Sequence, residues 1–234
     1  MEPIEAARQF VESTFNTCSF ALVAGSVTRG EGTVTSDLDI VIIDEGITQA
    51  YRESFDAFGW PIEVFAHNER TVREYIDSDV QRRRPTLVHM IAEGIILKDH
   101  LSIATPLKEH AHERLAAGPP PFSSEESETH RYVLTTLLDD LIGAEHVEEQ
   151  WFIAHDLVEN MCNYILVQRK EWQGRGKWLP RLLKQADEAL YNRLMVALEQ
   201  LYVQREKQPL IEWVTEELQT YGGRCFAGYA RGKP

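Results

Sequence analysis

Three consecutive prolines, Pro119-Pro120-Pro121, follow Gly118 and divide the chain into two differently patterned halves. Proline lacks an amide donor and fixes φ near −65°, so neither a helix nor an inner sheet strand runs through this segment. Upstream, short runs rich in β-branched and aromatic residues alternate with helical stretches. Strands are expected over 19–24, 37–43, 62–66 and 95–97, and helices near 2–16, 47–57, 69–92 and 102–117. Downstream the strand signal disappears. Ser123 with Glu126 three residues later has the spacing of a helix capping box, and helical patterning follows over about 124–142, 146–171, 178–203 and 208–220. A break is expected near Asp187, and Gln173-Gly174-Arg175-Gly176 is the strongest internal loop. The resulting class is α+β: a mixed β-sheet domain flanked by helices over 1–117, then an all-α bundle over 123–234, with a loose tail from Ala230 to Pro234. At 234 residues and 43% hydrophobic, the chain has enough apolar material for both cores.

Charge narrows the partners. Lys and Arg number 24 against 37 Asp and Glu, a net charge of −13. Such a surface repels nucleic-acid backbones and anionic lipid on average, although a local basic pocket or a bound metal still accommodates a nucleotide. Nucleic acid is therefore disfavoured as a partner. The apolar runs Phe20–Ala24 and Ile40–Ile43 are far shorter than the ~18 residues of a membrane span. The acidic start, Met1-Glu2-Pro3-Ile4-Glu5, lacks the basic and apolar regions of a signal peptide. Cys18, Cys162 and Cys225 are odd in number and widely spaced, which reads as reduced thiols rather than a disulfide or zinc framework. We expect a cytoplasmic protein with no membrane partner.

The chemistry is concentrated between the first two expected strands. A polar loop from Gly25-Ser26 to Thr35-Ser36 feeds directly into Asp37-Leu38-Asp39-Ile40-Val41-Ile42-Ile43. Side chains alternate along a strand, so Asp37 and Asp39 share one face while Leu38, Ile40 and Ile42 line the other. Two carboxylates ~4 Å apart repel by about 4 kcal/mol at an effective dielectric near 20, which raises a pKa or recruits a cation. Carboxylate oxygen suits Mg²⁺, which keeps open positions for water and substrate phosphates. Gly25 and Ser26, at a turn or helix start, offer backbone amides and a hydroxyl to phosphate oxygens, and Arg29 adds a planar fork of donors. Glu63 is the only charge in Trp60-Pro61-Ile62-Glu63-Val64-Phe65. If its strand lies beside that of Asp37 and Asp39, it completes a three-carboxylate cluster as a metal ligand or general base.

This pattern, Gly25-Ser26, a gap, Asp37-x-Asp39 on a strand and a later acid on a neighbouring strand, resembles the nucleotidyltransferase superfamily that includes DNA polymerase β. The resemblance spans about residues 20–66. Beyond them, element order and helical character look like the bacterial aminoglycoside nucleotidyltransferases of kanamycin and streptomycin resistance. It implies that Asp37, Asp39 and Glu63 hold one or two Mg²⁺, and that Gly25 and Ser26 bind the phosphates of a nucleoside triphosphate. The implied reaction transfers a nucleoside monophosphate, AMP from ATP by preference, to a hydroxyl of a small-molecule acceptor and releases pyrophosphate. Glu63 is the base in streptomycin-type relatives. A helix of the second domain supplies it in the kanamycin type, which makes Glu145, Glu149, Asp156 and Glu159 rivals. Lysines near the second domain contact nucleotide phosphates in relatives, which puts Lys177 in that role. Homodimers are common among them.

Other features carry less. His110-x-His112 lies at the wrong spacing for a metal pair on a helix, and Arg82-Arg83-Arg84 reads as a solvated helix end. Trp151, Trp172, Trp178 and Trp213 read as core of the bundle. The rival functions are a protein- or RNA-modifying adenylyltransferase of the antitoxin type and a nucleotide-binding module without turnover. A fused ribonuclease is disfavoured: its R-x4-6-H pattern fits Arg84 and His89, which lie in the first domain.

Overall fold

The structure is a computed structural model that describes residues 1–100 and 102–232; Lys233 and Pro234, the end of the expected tail, lie outside the described residues. The chain separates into two compact units, Met1–Gly118 and Pro119–Pro234.

In the first unit, helix α1 (Pro3–Thr14) leads into β1 (Phe20–Ala24), β2 (Leu38–Ile43), β3 (Tyr51–Ala57) and β4 (Trp60–His67). Helices α2 (Glu69–Gln81) and α3 (Thr86–Glu93), strand β5 (Ile95–Asp99) and helix α4 (Ala104–Ala117) complete it. The five strands form one sheet in the order β3-β4-β2-β1-β5. Neighbours are antiparallel except β2 and β4, which run parallel. The sheet is buried by alternation. Ala21, Val23, Leu38, Ile40, Ile42, Ile62, Val64 and Ala66 pack against Ala6, Ala7, Phe10 and Val11 of α1. The opposite face takes α2 and α3, which lie against β4, β1 and β2. Glu63 is thus aligned with Asp39 by the β2–β4 ladder.

Two sequence expectations change here. The helix expected over 47–57 is instead strand β3, which forms a hairpin with β4 through Phe58 and Gly59, both at positive φ. That is what a two-residue hairpin of primed type needs. On β3, Phe55 and Ala57 pack on the α1 core while Arg52, Ser54 and Asp56 point to the other face. The single helix expected over 69–92 is two helices. Pro85 disfavours helical backbone at Arg84, Arg83 adopts φ 60°, and the buried Asp79 carboxylate accepts a hydrogen bond from the Leu87 amide at 2.7 Å to start α3 afresh.

In the second unit, α5 (Ser124–Gly143), α6 (Val147–Gln168), α7 (Trp178–Ala186), α8 (Glu188–Glu199) and α9 (Gln208–Thr220) bury leucines, Met161, Tyr164 and Trp213 in one core. The capping box forms: the Ser123 hydroxyl accepts from the Glu126 amide, and the Glu126 carboxylate accepts from the Ser123 amide. Asp187 breaks 178–203 as expected by capping α8. A π-helical turn, Gln200–Gln204, ends α8. At the other end of α5, Lys207 Nζ donates to the carbonyls of Leu141, Ile142 and Ala144. Trp172 and Trp213 are core, but Trp151 and Trp178 are about two-fifths exposed, which corrects the expectation that all four are buried.

Candidate active site

The β1–β2 loop is built by its own polar side chains. Ser26 and Ser36 hydroxyls meet at 3.0 Å, the Thr33 amide donates to Ser36 Oγ, the Thr28 hydroxyl donates to Gly25 O, and the Glu31 amide donates to Ser26 O. These bonds draw the two ends of the loop together, so Gly25-Ser26 is a turn rather than a helix start. Gly25 has φ +98°, and a Cβ there would collide with Asp39 Oδ2. Only glycine lets the backbone pass this close to the carboxylate.

Asp39 is paired with Ala24 on one side and Glu63 on the other. Asp37 immediately precedes β2. Asp37, Asp39 and Glu63 each bring a carboxylate oxygen into a group whose members all lie within 4.8 Å of one another. Among the described residues it is the only group of three or more His, Cys, Asp or Glu side chains so placed. Burial pushes the Asp39 carboxyl up to about 7; Asp37 and Glu63 add to the rise, and Arg52 and Arg29 oppose it. Such a crowd of carboxylates is under-neutralised, and its all-oxygen donor set fits a hard divalent cation such as Mg²⁺.

Two arginines border the triad. Arg29 forms ion pairs with Glu93 at 3.3 Å and Glu31 at 3.6 Å, and Glu93 also holds the His89 ring at 2.9 Å. Arg52 reaches from β3 to bond Glu63 Oε2. Sequence reasoning missed Arg52 because it assigned residues 47–57 to a helix. The signal was the alternation of Tyr51, Phe55 and Ala57 with Arg52, Ser54 and Asp56, which has period two.

The structure therefore brings Asp37, Asp39, Glu63, Gly25, Ser26 and Arg29 into one region of the first unit. Lys177 lies in the second, exposed, at the residue preceding α7. Its loop is anchored by the buried Gly174, whose amide donates to Asn163 Oδ1 and whose Cβ position is filled by the Leu179 backbone. Glu149, Asp156 and Glu159 lie on α6, and Glu145 just before it.

The chain matches the crystal structure of a nucleotidyltransferase-like protein from Exiguobacterium sibiricum 255-15 over 93% of its length and 73% of that protein's, with a TM-score of 0.50. The fold is that of this nucleotidyltransferase-like protein. At 12% identity the fold is what is shared, and the likeness does not single out the aminoglycoside branch. No protein family matches the sequence, and no curated protein does. Among the described residues no helix is long and apolar enough to cross a membrane.

Proposed function

We propose that the chain is a Mg²⁺-dependent nucleotidyltransferase that moves a nucleoside monophosphate, AMP from ATP, to a hydroxyl of a small cationic acceptor of the aminoglycoside kind. The observation that carries the reading is the triad of Asp37, Asp39 and Glu63 oxygens within 4.8 Å on a nucleotidyltransferase fold. These three residues would hold the metal, which supplies charge neutralisation at the transferring phosphoryl group. Gly25 lets the main chain approach phosphate oxygens closely, the Ser26 hydroxyl donates to them, and Arg29 adds positive charge from a position fixed by Glu31 and Glu93. In this reading residues 1–117 form the catalytic domain. Residues 123–234 form the acceptor-binding domain, with Lys177 as a further phosphate contact. The net charge of −13 favours a cationic acceptor through long-range attraction.

The acceptor proton goes to Glu63 or to an acid at α6, namely Glu145, Glu149, Asp156 or Glu159. Glu63 Oε2 is bonded to Arg52, and removing each of the five acids in turn separates the rival bases by which loss abolishes turnover. The test is Mg²⁺-dependent pyrophosphate release from ATP with a mixed aminoglycoside panel, comparing wild type with Asp39→Ala. Release that requires acceptor, Mg²⁺ and Asp39 supports the reading. Equal rates for wild type and Asp39→Ala overturn it, and ATP binding without release over any acceptor points to a binding module.

A further inference from the structure

The Arg52 side chain is held by two partners on β4. Its Cα is paired with Phe65 in the β3–β4 ladder, and its guanidinium lies over the Phe65 ring, 5.0 Å from the centroid, while bonding Glu63 Oε2. Phe65 and Glu63 are two residues apart on one strand and so share a face. The ring and the carboxylate thus orient the planar fork. The Glu63 side chain is only 16% exposed and that of Arg52 61%, so a largely buried carboxylate is paired with a largely exposed arginine.

The pair has consequences for any cation at the triad. The three carboxyl groups form a negatively charged cluster, and Arg52 places one permanent positive charge directly on one of them. Glu63 Oε2 is engaged, which leaves Oε1 as the oxygen without that bond. A divalent cation arriving alone meets a cluster already partly neutralised. One arriving with a polyphosphate brings compensating negative charge.

Resting on the reading of the triad as a cation site, we infer that Arg52 is a positioning residue that fixes the Glu63 carboxylate and weakens the triad's hold on a free divalent cation, so that metal is retained in company with a polyphosphate. Its charge acts against the cation, and its fork fixes which Glu63 oxygen is presented. Removing the charge strengthens free-cation binding on the order of tenfold.

The test titrates Mn²⁺ alone, without nucleotide, by calorimetry into wild type, Arg52→Gln, Arg52→Lys and Asp39→Ala, and follows thermal stability in the same series. The expected result is roughly tenfold tighter Mn²⁺ binding to Arg52→Gln, near-wild-type binding to Arg52→Lys and none to Asp39→Ala. A structural role alone would lower stability and leave affinity equal or weaker, and that result overturns the inference. Arg52→Met keeps an apolar chain against Phe65 and takes the place of Arg52→Gln if the latter folds poorly. If wild type itself binds no Mn²⁺ in an Asp39-dependent way, the reading of the triad fails. If it does, and the Arg52 variants bind no tighter, only the role of Arg52 fails.

Discussion

Gly25 and Asp39 occupy adjoining space: the position that a Cβ on residue 25 would need is taken by the Asp39 carboxylate. Gly25→Ala therefore combines a positive-φ penalty with a steric collision, together about 1–3 kcal/mol. Thermal unfolding should show that loss. In an Asp39→Ala background the collision is gone, so the same substitution should cost measurably less, and a double-mutant cycle reads the difference.

Asp39 makes metal-free stability depend on pH. Between about 4, where an unfolded aspartate ionises, and about 7, where the folded one does, the folded state holds the extra proton. Its contribution is present at low pH and lost as pH rises through that window, by about 2–4 kcal/mol. Asp39→Asn should abolish this falling arm. Mg²⁺ added near pH 7 should release about half a proton per site from wild type and none from Asp39→Asn, which is measurable from the buffer dependence of the binding heat.

His67 acts with the opposite sign. It is 3% exposed, lies edge-on to Tyr75, and has no hydrogen-bond partner at Nδ1 among the described residues; burial pushes its pKa down to about 4. Between about 6.5 and about 4 the unfolded chain is the more protonated, so this contribution is lost as pH falls through that window. In wild type the two slopes oppose each other. His67→Leu should expose the falling Asp39 arm, and Asp39→Asn the rising His67 arm, in thermal unfolding scans over pH 4–7.

Lys207 is the C-terminal cap of α5. Its ammonium serves three carbonyls that the helix cannot satisfy itself, with charge favourable to the helix dipole. Lys207→Met should lower the stability of the second unit by about 1–3 kcal/mol. Divalent-cation binding by the triad should be unchanged, since all its ligands lie in the first unit.

Much of this was legible in the sequence because local chemistry and burial agreed. Ser123 and Glu126 announce a capping box and form one; the alternation of Leu38, Ile40 and Ile42 with Asp39 gave its facing correctly. Strand β3 was misread because its residues are exposed and charged, as edge strands are, and because its turn is Phe58-Gly59 rather than the usual Asn-Gly. Arg52 was lost with it. The break between α2 and α3 was signalled by Pro85, but its restart depends on Asp79 reaching Leu87, a contact eight residues apart that periodicity does not reveal. Exposure of Trp151 and Trp178 depends on how the helices pack around the core, which the order of apolar residues leaves open.

The pairing of Asp39 with Glu63 also makes the sheet self-checking. The ladder that aligns them aligns Leu38 with Ile62 and Ile40 with Val64 under α1. A slip of one residue would turn Glu63 inward beneath α1 and expel the aliphatic pair to the other side. The apolar core would then enclose a lone carboxylate, so a mispaired sheet is eliminated by its own solvation cost before any ligand arrives. Fidelity of the ligand constellation is thus enforced during folding by hydrocarbon residues that never touch it, and a single-residue insertion or deletion within β4 should be excluded more stringently than most substitutions.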